Sequence, residues 1–108
     1  MLDQFSRTES LFGTDAMKKL ASSRIAVFGI GGVGGYTIEA LIRAGIGELD
    51  LIDNDTVSVT NINRQIIATH KTVGMLKVDA ARERCLDINP NAKINTYSVF
   101  FKKKKKKE

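Results

Sequence analysis

Tryptophan is absent from this 108-residue chain, cysteine, proline and histidine occur once each, and aromatic residues make up only 6%. The lone Cys85 excludes an internal disulfide. With His70 as the one imidazole and no Cys-x-x-Cys pair, the chain also lacks the ligands of a structural zinc site. No apolar run approaches the ~20 residues that cross a bilayer, so no membrane partner is expected. The opening MLDQFSRTES has no basic segment leading into an apolar stretch, which excludes the pattern of a secretory signal. Together these absences point to a reducing, cytoplasmic setting. Net charge is missing from most of the chain as well: residues 1–101 carry eleven basic and eleven acidic side chains, and the overall +5 comes from Lys102 to Lys107 set against Glu108. That run reads as residues 102–108 of a disordered, solvated tail of like charges, fitting an added or frame-shifted terminus. No aromatic side chains interleave with it to stack on bases, so sequence-specific nucleic-acid reading finds no support there.

What is present is ordinary for a folded chain, 43% hydrophobic and 27% charged. The length allows one domain or part of one. Residues 1–12 read as an arm or short helix anchored by Leu2, Phe5, Leu11 and Phe12. Thr14 or Asp15 can cap a helix running to Ser22, because a short side-chain oxygen accepts the first free N–H groups. Arg24 to Phe28 is an apolar run suited to a strand buried on both faces of a parallel sheet. Gly35 to Ala44 reads as a helix, with Ile38, Leu41 and Ile42 on one face and Gly45 as its stop. Glu48 to Asp53 forms a second strand, Asn54 to Thr60 a connection, and Asn61 to Ile67 a single helical turn. Val78, Ala81, Cys85 and Ile88 recur at helical spacing within Thr72 to Ile88, ended by Asn89-Pro90. Lys93 to Phe101 alternates as a third strand. This order predicts an α/β fold, a doubly wound parallel sheet of which about three strands, the first half, are present. The edge holding Ile25, Val27 and Phe28 is then left open.

Gly29-x-Gly31-x-x-Gly34 lies between a predicted strand and a predicted helix, the context in which this pattern carries information. Glycine there lets the chain turn and lets backbone approach a phosphate or ribose. Asp53 ends the second strand, 19 residues beyond Gly34, where a carboxylate can accept ribose hydroxyls. NAD, FAD and ATP all satisfy these features. The cations Arg64 and Lys77, with the amide Asn61, favour ATP: a triphosphate needs neutralising charge that a dinucleotide held by a helix N-terminus does not. Asp55 suits phosphate or metal binding, or capping of the following turn. His70 reads as a loop histidine and Cys85 as a core residue.

The segments Gly29-Ile-Gly-Gly-Val-Gly34, Asp53-Asn-Asp-Thr-Val, Thr60-Asn-Ile-Asn-Arg-Gln65 and Val73-Gly-x-x-Lys77 resemble the adenylation domain of the ubiquitin-activating-enzyme-like (ThiF/MoeB/HesA-type) superfamily. Gln4-Phe-Ser-Arg-Thr8 and Ile88-Asn-Pro-Asn91 resemble its bacterial tRNA threonylcarbamoyladenosine dehydratase branch. The resemblance implies that residues 1–101 are the N-terminal part of a Rossmann-like ATP-binding adenylation domain. It implies nucleotide contacts at Gly29, Gly31, Gly32, Gly34, Asp53, Asp55, Asn61, Asn63, Arg64 and Lys77. Catalytic roles fall to Arg64 on the departing pyrophosphate, Lys77 near the α-phosphorus, and Arg7 reaching the other subunit of a homodimer. Gly35 departs from the Ser or Cys usual in the family. Mg²⁺ is implied too, with its main protein ligand beyond residue 101. The implied reaction is ATP-dependent carboxylate adenylation, with threonylcarbamoyladenosine in tRNA as substrate; the alternatives are a ubiquitin-like sulfur-carrier C-terminus and a non-catalytic nucleotide-binding module.

Overall fold

In the computed structural model, which describes residues 3–100, the chain runs α1 (Ser6–Phe12), α2 (Thr14–Ala21), β1 (Arg24–Phe28), α3 (Val33–Ala44), β2 (Glu48–Ile52), a 3₁₀ turn (Val59–Asn61), α4 (Lys77–Ile88) and β3 (Lys93–Tyr97). The strands form one parallel sheet in the order β1-β2-β3. Parallel neighbours need crossovers, and α3 and α4 supply them. Register pairs Val27 with Leu51 and Leu51 with Thr96, so alternate residues of each strand line up on one face. Val27, Leu49, Leu51 and Ile94 form the strand side of a buried cluster with Ile38 and Ile42 of α3 and Val78, Ala81 and Cys85 of α4. Both helices lie over that side because their apolar residues recur every three or four positions.

The two helices are also tied by charge. Glu39 of α3 accepts Nε of Arg84 at 2.6 Å and Nη2 of Arg84 at 3.1 Å, and Nε of Arg43 at 2.6 Å. The Arg84 hydrogen bonds, foremost, hold the Glu39 carboxyl below the usual carboxylate range. The opposite face of the sheet carries a polar ladder. There Arg24 donates to both oxygens of Asp50 (2.8 and 3.2 Å), while the Asn95 amide donates to Asp50 (2.7 Å) and Glu48 (2.8 Å).

Several boundaries differ from expectation. β1 is not buried on both faces: of its five residues only Val27 is buried, because the strand is an edge of the sheet and its Arg24, Ala26 and Phe28 side has no covering layer among the described residues. Neither Thr14 nor Asp15 caps α2; Gly13, at φ 88°, takes that place with no side-chain hydrogen bond. α4 starts at Lys77 rather than Thr72. Gly74, at φ 90°, and a hydrogen bond from the Thr72 hydroxyl to the Ile67 carbonyl (2.8 Å) hold residues 69–76 in turns, and Thr56 pairs with Leu76. β3 stops at Tyr97. Leu11 and Phe12 are 80% and 68% exposed among the described residues, whereas Phe5 packs at Gly45. Leu2 and the lysine run lie outside the described residues.

Candidate nucleotide site

The site begins where β1 ends. Gly32 adopts φ 60°, ψ −123°, a conformation that L side chains rarely adopt, and α3 starts directly after it. A Cβ on Gly34 would overlap the carbonyl oxygen of Gly29, so strand end and helix start pass closer than any side chain permits. Gly35 continues this packing: a Cβ there would meet the Ile30 carbonyl oxygen at 2.9 Å.

Gly31 faces the opposite loop. The place its Cβ would occupy lies 3.2 Å from Nζ of Lys77 and 2.8 Å from Nε2 of Gln65. A lysine from the first turn of α4 and an amide from the 61–65 loop thus close on the glycine turn, which has no side chain at Gly31 to hold them off. Lys77 is only 7% exposed, and its closest carboxylate oxygen belongs to the exposed Asp55, at 3.9 Å. An ammonium so placed, beside backbone that a phosphate can approach, is chemistry for an anion.

Asp53 is 7% exposed. Its Oδ2 accepts the Ile30 N–H and its Oδ1 the Asp55 N–H, each at 2.8 Å. The carboxylate therefore binds the two turns together, beyond the ribose contact expected of it. Asn61 is buried, and its Oδ1 accepts the Ser58 N–H at 2.9 Å in a reciprocal cap of the 3₁₀ turn. Arg64 is exposed and donates within its own loop, to the Thr60 carbonyl and to Oδ1 of Asn63, both at 2.9 Å. Of the two cations, Lys77 alone lies against the glycine turn. Arg64 is held by local acceptors in its loop, which are enough to satisfy one guanidinium nitrogen.

Arg7 lies elsewhere. Its helix α1 packs at the opposite ends of the strands, where the Gln4 amide donates to the Ile88 carbonyl (2.9 Å). A cavity of about 410 Å³ opens there, between α1, α2, the Gly45–Gly47 turn and Asn89. This cavity is separate from the glycine turn. Cys85 is buried and burial pushes its thiol up to about 12, as expected of a core residue and not of a nucleophile. No group of three or more His, Cys, Asp or Glu among the described residues is arranged to hold a metal ion.

Gln65 is the site residue that sequence reasoning left without a role. Its position directly after Arg64 in the Asn61-x-Asn-Arg-Gln65 segment was the available signal. Its Oε1 is buried with no hydrogen-bond partner.

A family model described as "ThiF family" matches residues 5–108. The tRNA threonylcarbamoyladenosine dehydratase of Bacillus subtilis (strain 168) is 45% identical over 101 residues, which are 94% of this chain and 40% of that relative. The adenylyltransferase and sulfurtransferase UBA4 of Lodderomyces elongisporus is 48% identical over 87 residues, 80% of this chain and 19% of the relative. Among solved structures, E. coli tRNA N6-threonylcarbamoyladenosine dehydratase, TcdA, in complex with ATP superimposes with a TM-score of 0.88 at 44% identity, covering 90% of this chain and 40% of that one. The same enzyme in complex with AMP matches equally well, with a TM-score of 0.88. The chain spans about 40% of the length of the dehydratases it matches.

Proposed function

The chain belongs to the ThiF family, and on that premise we propose that residues 1–101 are the N-terminal, nucleotide-binding part of an ATP-dependent adenylating enzyme. The observation that carries this reading is the meeting of Lys77 with Gly31, where a nearly buried ammonium borders bare backbone. Gly29, Gly31, Gly32 and Gly34 shape the turn that receives the phosphates, and Lys77 stands at the α-phosphorus. The remaining lone pairs of Asp53 accept a ribose hydroxyl. Asn61, Asn63 and Arg64 form the loop that swings to the outer phosphates. Arg64 there needs only to exchange its carbonyl and amide acceptors for phosphate oxygens, which are stronger acceptors for a guanidinium. Asp55 faces Lys77 from the rim.

ATP supplies an activated phosphorus with a departing pyrophosphate. A substrate carboxylate oxygen attacks the α-phosphorus, the bond to the β-phosphate breaks, and an acyl adenylate forms. The protein's part is alignment and charge stabilisation. The substrate we infer is the threonylcarbamoyl group on tRNA adenosine, whose carbamoyl group then closes onto the activated carboxyl and releases AMP, a net loss of water. The likeness to the dehydratases favours this substrate, and the likeness to UBA4 favours a ubiquitin-like sulfur-carrier C-terminus as the second reading. Arg7, at the opposite ends of the strands from the glycine turn, acts on the nucleotide of a second subunit in a cytoplasmic homodimer. The described residues do not supply a clustered Mg²⁺ site, and Asp55 is the exposed carboxylate beside Lys77.

Titration of the chain with a fluorescent ATP analogue tests the reading. Lys77→Met should weaken binding by about 10- to 100-fold, the worth of one charge-assisted contact. Equal binding by the variant, or preference for NADH over ATP, would overturn it. In a full-length relative, Arg64→Ala should cost about 2–4 kcal/mol in the transition state of ATP–pyrophosphate exchange.

A further inference from the structure

The contacts around Asp53 close into a ring. From Ile30 an N–H runs to Oδ2 of Asp53 (2.8 Å), and from Asp55 an N–H runs to Oδ1 of the same carboxylate (2.8 Å). The Asp55 carbonyl accepts the N–H of Lys77 at 2.9 Å. Lys77 then reaches back to Gly31, the residue after Ile30. Every link but the last is a hydrogen bond to main chain, so the ring fixes backbone and not merely side chains. Ile30 is fully buried, and an N–H there without the carboxylate has no water to turn to.

We propose that Asp53 is a positioning residue that sets Lys77 against the glycine turn, so that its loss is felt at the phosphates of a bound nucleotide as well as at its sugar. The proposal rests on the nucleotide-binding reading above and adds to Asp53 a task independent of ribose. A carboxylate is required because both of its oxygens must accept: an asparagine offers one acceptor and turns an NH₂ group toward the other N–H. Among the described residues no direct hydrogen bond joins the β1–α3 turn to the start of α4, and the carboxylate at the end of β2 bridges them. Charge contributes little to the placement of Lys77, since Asp55 stands 3.9 Å away and is mostly solvated.

The test compares ATP with inorganic tripolyphosphate, which has no sugar, on the intact chain and on Asp53→Asn. If the ring sets Lys77, both ligands lose about tenfold in affinity, the worth of one hydrogen bond to a charged group. A loss for ATP with tripolyphosphate unchanged overturns the proposal and leaves Asp53 to the ribose alone. Amide hydrogen exchange without any ligand gives the second readout. The N–H groups of Ile30, Asp55 and Lys77 should exchange about tenfold faster in the variant, relative to Leu51 in the core. Unchanged exchange at these three overturns the proposal as well. Asp53→Glu, which keeps the charge but displaces both oxygens, carries the same test if the asparagine variant does not fold. Should the unsubstituted chain bind neither ligand, the nucleotide reading falls, and the exchange at Lys77 still decides for or against the ring.

Discussion

The two faces of the sheet are built from the same fifteen strand residues, yet they behave as different materials. On the helix side Val27, Leu49, Leu51 and Ile94 are buried against α3 and α4. On the other side Arg24, Asp50, Asn95 and Glu48 form a ladder of hydrogen bonds and ion pairs, joined by Lys93 through an ion pair to Glu48, with no layer over it among the described residues. Parallel sheets are ordinarily covered on both faces. The uncovered face shows what replaces apolar burial when no helix arrives: charges paired sideways across neighbouring strands. Apolar burial removes surface from water whatever the solution, whereas the ladder depends on the protonation of its carboxylates and on salt.

Truncating each face sharpens the contrast. Leu51→Ala, on the covered face, should have the largest effect, destabilising the chain by about 2–5 kcal/mol in urea unfolding because the cavity cannot be refilled. Glu39→Gln, which breaks the charged tie between the helices on that side, should come next at about 1–2 kcal/mol, since Arg84 and Arg43 are both partly solvated. Asp50→Asn, on the uncovered face, should move the unfolding midpoint least of the three. A larger loss from Asp50→Asn than from Leu51→Ala would reverse the comparison.

Acid should act on the charged ties of both faces alike. The Arg84 hydrogen bonds lower the folded Glu39 carboxyl, and the Arg24 hydrogen bond lowers that of Asp50. In both cases the unfolded chain takes up the proton first as pH falls. Their contribution is therefore whole above the ordinary carboxylate range, about pH 4, and is lost below it. Unfolding followed from pH 7 to pH 3 should show this decline, and Glu39→Gln and Asp50→Asn should each flatten it; an unchanged slope in both would remove the ion pairs from the account. The smallest perturbation is chemical: Cys85, buried with its thiol pushed up to about 12, should resist a thiol reagent at pH 8 until the chain unfolds. Rapid labelling of the native chain would show that α4 lifts readily from the covered face.

Much of this was legible residue by residue. Ile38 and Ile42 marked the inner side of α3, Gly45 its left-handed stop, and Val78, Ala81 and Cys85 the inner side of α4, because a helix of 3.6 residues per turn leaves no other way to bury them. The start of α4 was not legible, since Thr72 to Leu76 continue a helical pattern that Gly74 and the Thr72 hydroxyl interrupt. Within the candidate site, the glycine spacing and Lys77 could be read in advance, whereas Gln65 gave only an amide in a loop.

Local chemistry is what the chain carries on its own: which segments alternate or recur, where glycine must stand, which side chains bear charge. Tertiary structure alone decided that Lys77 meets Gly31 while Arg64 turns into its own loop, and that Asp53 spends both oxygens on backbone. Each of these depends on distances between residues far apart in the chain, and spacing along a sequence fixes periodicity but not the path by which two turns return to the same point.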